Sequence, residues 1–232
     1  MKALALSKAC EAEDFAHPDL VEARTEPWRE DRDHWEVAMA LRAFAHFDVL
    51  RPGSSVLGLC REPSDLAFHV AARTGALEVV PAAPLPYPDG SFDGAFWSRS
   101  VSASRLRDAA YAAAELGRAL KRGGVLAVAA DLRLAGPPGT TGWPGPLAFT
   151  AAHLSQFVVD ASGLAVVDGG SWTVSDRTLA TPRDLNLSTS EHHAAAAAPG
   201  DRYEPSPWGF PKLITVRDGY VCTSVHLTLV KR

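Results

Sequence analysis

The sequence predicts one α/β domain, in which a mostly parallel sheet ends in an antiparallel hairpin at the C-terminus. From residue 31 onward, short apolar runs of strand length alternate with helical patterns, which favours parallel strands covered by helices on both faces. Near the end of the chain, Asp218-Gly219 stands between two apolar runs, as is typical of a hairpin. The 232 residues, 47% of them hydrophobic, suffice for a core of this kind.

The elements follow in order along the chain. Residues 1–30 are polar and mixed, so we expect an irregular arm there, followed by a single domain over residues 31–232. The apolar residues from Trp35 to Phe47 are spaced as in an amphipathic helix, which Asp31 or Asp33 would cap. Further helices are predicted over 66–72, 105–120 and 150–163. Strands are predicted over 55–59, 77–80, 92–98, 125–130, 164–167, 213–216 and 221–230.

Charge and cysteine content exclude several classes of protein. A net charge of -4 and a pI near 6.1 argue against binding nucleic acid by neutralising phosphates. No apolar run approaches the ~20 residues that cross a bilayer, and the N-terminus lacks a signal-peptide cleavage pattern. The cysteines are few and far apart, and the adjacent His192 and His193 would point to opposite faces of an extended chain. We therefore expect a cytoplasmic protein without a nucleic-acid, membrane or metal partner.

Two stretches resemble a known family. Leu85–Asp93 resembles the turn before the fourth strand of class I S-adenosylmethionine (SAM) methyltransferases, and Leu116–Leu126 resembles the helix and fifth strand that follow. Arg51–Leu57 precedes them as the first strand of the family does. The resemblance implies a Rossmann-like methyltransferase fold with SAM as its cofactor.

The similarity extends to a bacterial subgroup of such domains. It includes Trp35–Met39 in the first helix, Ser175–Pro182 after the sixth strand and Thr223–Val225 in the last strand. Most of the chain from Asp33 onward is therefore included in the resemblance.

The cofactor site that this resemblance implies is degraded. The family has a glycine-rich turn after the first strand, whereas this chain keeps only Gly58, on the strand itself, and places Cys60 and Glu62 in the turn. The second predicted strand is followed by Pro81 instead of the carboxylate that binds the ribose, and no Asp precedes Leu85 to bind adenine. By comparison with the family, about one helix-strand unit is missing. We therefore expect no cofactor.

Residues at the carboxyl ends of the strands are the candidates for chemistry. Asp131, His34 and Glu36 are the predicted catalytic residues, with His34 or Glu36 as a general base. Asp131 could instead cap a turn, and the acids near His34 could instead suit the dipole of a helix that Trp35 anchors in the core. The predicted substrate-binding residues are Trp35, Trp97, Ser98, Ser100 and Ser102.

These observations predict a repurposed enzyme of bacterial specialised metabolism. It would act without SAM on a small polar substrate, in a cyclisation or an elimination. The first alternative is a non-catalytic subunit with a hetero-oligomeric partner, or a homodimer, because a shortened sheet leaves an edge that invites pairing. The second alternative is an active SAM methyltransferase with a divergent cofactor loop.

Overall fold

The computed structural model describes residues 3–25, 28, 30–60, 64–98, 105–136, 147–181, 183–185, 213–217 and 219–232. Its strands are β1 (Lys8–Ala9), β2 (Ser55–Leu59), β3 (Ala76–Val80), β4 (Phe92–Trp97), β5 (Leu120–Ala135), β6 (Ala148–Phe149), β7 (Ala165–Val166), β8 (Arg183–Leu185), β9 (Ile214–Arg217) and β10 (Tyr220–Val230). Its α-helices are α1 (Pro18–Glu22), α2 (Arg32–His46), α3 (Asp65–Ala71), α4 (Leu106–Ala119), α5 (Ala151–Leu154) and α6 (Asp176–Leu179). Short 3-10 helices cover Ala12–Ala16 and Val167–Gly169, and a π-helical turn at Ser155–Asp160 continues α5.

The strands join in one sheet with the order β3-β2-β4-β5-β10-β9-β8. β3, β2, β4 and β5 run parallel, whereas β10 is antiparallel to both β5 and β9. The hairpin turn places Tyr220 opposite Arg217, and Gly219 adopts a φ of 78° that favours glycine. The predicted fold class is confirmed: a mostly parallel α/β sheet that closes with an antiparallel C-terminal hairpin.

Both faces of the central strands are buried. Along β4, Ala95 and Trp97 pack on the face covered by α4, whereas Phe96 packs on the face covered by α2 and α3. Along β5, Leu126 and Val128 alternate with residues of the opposite face in the same way. Strands that are covered on both sides need apolar side chains at successive positions, which explains the continuous apolar runs in the sequence.

The connection from β3 to β4 is unusually short. Residues 81–91 lead from β3, at one edge of the sheet, past β2 to β4 without a helix or a strand. A βα crossover normally places a helix at such a step. The sheet therefore ends at β3, where the sequence predicts a missing helix-strand unit, and Val79 is 44% exposed there.

The N-terminal segment contains short elements where we expected an irregular arm over residues 1–30. β1 pairs with β10, so that Lys8 lies opposite His226 and Ala9 opposite Val225. α1 and the 3-10 helix at Ala12–Ala16 follow it. Each element is too short to show a period in the sequence. The boundary between arm and domain at residue 31 stays a prediction.

Candidate functional site

A cavity of about 260 Å³ lies between α2 and the sheet, beside the carboxyl end of β4. Its lining comes from the first half of α2, the N-terminus of α3, the end of β4 and the middle of β5 and β10. Among the predicted residues, it brings together His34, Glu36, Trp97 and Ser98. Binding sites of open parallel sheets lie at this edge of the fold.

The first turn of α2 holds His34 in place. Of the two predicted caps, Asp31 is the N-cap, and its Oδ1 accepts a hydrogen bond from the backbone N–H of His34 at 2.9 Å. The same oxygen lies 2.8 Å from Nδ1 of His34. The ring of Trp28 packs edge-on against the imidazole, with 5.8 Å between the ring centroids. One carboxylate thus fixes both the start of the helix and the orientation of the ring.

Glu36 reaches from α2 to the sheet. Its Oε1 accepts a hydrogen bond from the hydroxyl of Ser224 on β10. Ser224 lies on β10 opposite Asp131 of β5, so this contact ties α2 to the centre of the sheet. The Glu36 carboxylate is therefore held at the wall of the cavity.

Two predicted residues do not line the cavity. Trp35 is fully buried, and its indole Nε1 donates a hydrogen bond of 2.9 Å to Asp14, so it anchors α2 in the core. Asp131 lies inside β5, which continues to Ala135 beyond the predicted end at residue 130. Its buried carboxylate accepts a hydrogen bond of 2.8 Å from Arg32. The catalytic role of Asp131 stays a prediction, and Glu62, Ser100 and Ser102 lie outside the described residues.

Gly58 and Cys60, the described positions of the degraded cofactor site, pack against protein. A Cβ on Gly58 would come within 2.4 Å of Cζ of Phe96, so the missing side chain makes room for the core. Cys60 is buried, and burial raises the pKa of its thiol despite a hydrogen bond with Ser64. The backbone N–H of Cys60 donates to the carbonyl of Val80, the last residue of β3.

His226 is one of the lining residues that the sequence analysis did not include in the site. It is fully buried on β10, and its Nδ1 lies 2.9 Å from the carbonyl oxygen of Leu6. Burial lowers its pKa to about 4. Ser224, His226 and Thr228 occupy alternate positions of a strand that is mostly apolar, so the signal was a polar face with the period of a strand.

Two classes of feature do not occur in the described part of the chain. No helix there is both long and apolar enough to cross a membrane. Within the same ranges, no three His, Cys, Asp or Glu side chains group together as metal ligands would.

Comparisons with known proteins identify the fold. No protein-family model matches the chain, and no curated protein matches it by sequence. Its structure is similar to that of a candidate sarcosine dimethylglycine methyltransferase from Galdieria sulphuraria, with a TM-score of 0.50 and 14% identity over 86% of this chain and 84% of that chain. It also resembles the 4+2 cyclase SpnF, with a TM-score of 0.45 and 21% identity over 97% of both chains. A geranyl diphosphate methyltransferase in complex with SAM matches with a TM-score of 0.48 and 15% identity over 100% of both chains.

Proposed function

We propose that this chain, whose fold is that of class I SAM-dependent methyltransferases, is an enzyme that acts without SAM. Its substrate is a small polar molecule bound in the cavity beside α2, and its reaction is a cyclisation or an elimination. The observation that supports this most is the lining of the cavity, where Glu36, His34 and His226 meet. The resemblance to a bacterial subgroup supports a place in specialised metabolism, in the cytoplasm.

The packing around the former cofactor positions supports independence from SAM. The phenyl ring of Phe96 occupies the space beside Gly58, so this glycine does not open the strand to a ligand. The residue that ends β3 is Val80, whose side chain has no oxygen to accept hydrogen bonds from ribose hydroxyls. The described residues therefore do not fit SAM, and no step of the proposed reaction passes through it.

Glu36 is the proposed general base. Its carboxylate accepts a hydrogen bond from Ser224, and an adjacent donor of this kind fixes its orientation toward the cavity. In an elimination, the base takes a proton from the carbon next to the one that bears the leaving group. The C–H electron pair becomes the new double bond, and the leaving group departs with its own bonding pair. His34, oriented by Asp31, is placed to donate or accept a proton on the same wall.

Calorimetry with SAM and S-adenosylhomocysteine tests the proposal. We expect no heat of binding at millimolar ligand, because the cofactor positions pack against protein. The geranyl diphosphate methyltransferase named above serves as the positive control under the same conditions. Micromolar binding to this chain would overturn the proposal and favour an active methyltransferase with a divergent cofactor loop.

Single substitutions test the catalytic assignments once screening of small polar compounds has yielded a substrate. We expect Glu36→Gln to lower turnover by ~100-fold or more, the usual contribution of a general base. His34→Gln is expected to lower it as well. Asp131→Asn is compared with Arg32→Met, which breaks the same ion pair but keeps the carboxylate, so a larger loss of turnover in Asp131→Asn would indicate a catalytic role. Full activity in all three variants would remove these assignments.

A non-catalytic subunit is the second candidate, and the edge of the sheet favours it. β3 pairs only with β2 among the described strands, and Val79 and Glu78 are exposed on its two faces. An open edge of this kind is a template for pairing with another chain. Size-exclusion chromatography with light scattering measures the mass of the protein alone and with the products of neighbouring genes. A complex or a dimer that Val79→Lys abolishes supports this candidate. A protein that stays monomeric and binds none of these gene products counts against it.

A further inference from the structure

We infer that Nε2 of His226 accepts a hydrogen bond from an amino group of the ligand in the cavity. The inference rests on the proposed function of this cavity as a binding site. It names a residue that touches the ligand and the chemical class of the group that it touches.

The position of His226 in the sheet directs its two nitrogens to opposite sides. β10 lies between β1 and β5, so that His226 faces Lys8 on one side and Ala129 on the other. Nδ1 contacts Leu6, which is on the side of β1. Nε2 is on the far side of the ring, toward Ala129, and both residues line the cavity.

The tautomer of His226 follows from its contact with Leu6. A carbonyl oxygen only accepts hydrogen bonds, so Nδ1 must carry the proton that it donates to Leu6 over 2.9 Å. Burial lowers the pKa of the imidazole to about 4, which keeps the ring neutral at pH 7. Nε2 is then an acceptor, and no donor among the described residues reaches it, although the whole side chain is buried. Buried polar atoms without a partner are rare, and a ligand donor would satisfy this one.

The N-terminal segment holds the Leu6 carbonyl in place. The backbone N–H of Leu6 donates to Asp168 at 2.9 Å, and its carbonyl oxygen also accepts a hydrogen bond of 3.0 Å from the Thr228 hydroxyl. The Ser7 hydroxyl accepts from the backbone N–H of Thr228 at 3.0 Å. Contacts between β10 and the N-terminal segment therefore fix the orientation of the imidazole, and with it the position of the acceptor Nε2.

The rest of the lining favours an amino group over other donors. Asp33, Glu36 and Asp65 contribute carboxylates to the wall, and none of the lining residues is a lysine or an arginine. A protonated amine carries both the positive charge that these carboxylates attract and the N–H that Nε2 can accept. A neutral hydroxyl would satisfy only the second condition.

Nuclear magnetic resonance on the whole protein, with ¹⁵N-labelled histidine, tests the inference directly. The long-range proton–nitrogen spectrum reports which nitrogen of His226 carries the proton, and n-butylammonium serves as the probe with n-butanol as its neutral match. We expect Nε2 to resonate as an unprotonated nitrogen and to move upfield on addition of n-butylammonium and not of n-butanol. A proton on Nε2, an unmoved signal, or an equal response to both probes would overturn the inference.

Two substitutions at the same position separate the two nitrogens. In His226→Asn the amide can still donate to Leu6 but does not extend into the cavity, and we expect n-butylammonium to bind at least about tenfold more weakly. In His226→Gln the amide oxygen can take the place of Nε2, so affinity is expected to recover in part. His46→Asn, on the exposed end of α2, is the control and should bind as the unaltered protein does. Equal affinity in all variants would overturn the role of Nε2.

The outcome is distinguishable from that of the calorimetry with SAM. Absence of SAM binding together with an unmoved Nε2 signal would overturn only the inference about the amino group. Micromolar SAM binding would overturn the proposed function. The response of Nε2 to n-butylammonium would still decide whether this nitrogen accepts a hydrogen bond from an amino group.

Discussion

At the scale of single residues, the buried imidazole of His226 makes the stability of the protein depend on pH. Burial, with a smaller effect of the charge on Arg42, lowers its pKa to about 4 from the ordinary value of 6.5. The unfolded chain therefore binds a proton as the pH falls through 6.5, whereas the folded protein does not until about pH 4. The neutral, buried ring therefore contributes its full stabilisation above pH 6.5. This contribution to the free energy of unfolding, about 3 kcal/mol, is lost as the pH falls from 6.5 to about 4.

Urea unfolding at several pH values measures this effect. The free energy of unfolding is expected to fall between pH 7 and pH 4, and the fall should be smaller in His226→Asn, which has no imidazole to titrate. An equal fall in both proteins would show that other groups cause the loss.

Arg118 explains at the residue scale why the two family-like stretches occur together. Its guanidinium donates to the carbonyl of Tyr87 at 2.7 Å and to Asp89 at 2.8 Å, both in the first stretch. It also donates to Glu115, one turn back on α4, at 2.9 and 3.0 Å, and these contacts lower the pKa of Glu115. The Glu115 carboxylate in turn accepts from the backbone N–H of Leu85 at 3.0 Å. One side chain thus ties the turn before β4 to the helix before β5.

Arg118→Met is expected to lower the urea concentration at the midpoint of unfolding, because it leaves Glu115 and the turn without their shared donor. Arg107→Met is the matched control, since Arg107 is 74% exposed on the first turn of the same helix and forms an ion pair with its exposed neighbour Asp108. Equal midpoints for the two variants would contradict this role of Arg118.

At the scale of elements, the last residues of the chain cap α4. The Nζ of Lys231 donates to the carbonyls of Gly117, Arg118 and Leu120 at 2.8, 3.1 and 2.7 Å. A cation at the C-terminus of a helix satisfies free carbonyls and opposes the negative end of the dipole. Lys231→Met should lower the free energy of unfolding by about 1–2 kcal/mol in urea denaturation. The exposed Arg122→Met is the control, and a similar loss there would argue against capping.

The ion pair between Arg32 and Asp131 ties α2 to β5. The carboxylate of Asp131 is 2% exposed and the side chain of Arg32 14%, so removing either one leaves a charge in a largely dry place. Each of Asp131→Asn and Arg32→Met is expected to cost about 3 kcal/mol of stability. If the residues act only as a pair, the double variant costs less than the sum of the single ones, as measured by urea unfolding. Strict additivity would contradict the pairing.

At the scale of the whole molecule, stability is expected to decrease from the centre of the sheet to its β3 edge. β4, β5 and β10 are buried on both faces, whereas most β3 side chains are exposed and the strand has one neighbour among the described strands. Hydrogen exchange detected by mass spectrometry should therefore be fastest in β3 and slowest in β5 and β10. Protection of β3 equal to that of β5 would contradict this gradient and indicate that another chain pairs with the edge.

The sequence determined the elements and their class, because local periodicity reflects which side chains are buried. The spacing from Trp35 to Phe47 placed α2 and limited its cap to Asp31 or Asp33, and the apolar run after Gly124 placed the core of β5. β1 and the extension of β5 to Ala135 were not predictable in this way, because they depend on pairing with β10. The 3-10 helix at Ala12–Ala16 and α1 span only five residues each, too few to show a period.

The tertiary structure decided the site. Glu36 and Ser224 are 188 residues apart in the chain, and Leu6 and His226 are 220 apart. They meet because β10 inserts between β5 and the edge strands and so carries its polar face under α2. Composition and motifs indicated His34 and Glu36, but a histidine within an apolar strand shows its role only when its neighbours in space are known. Burial and hydrogen-bond partners, which give His226 its tautomer and its place at the cavity, are properties of the folded chain and not of any local stretch of sequence.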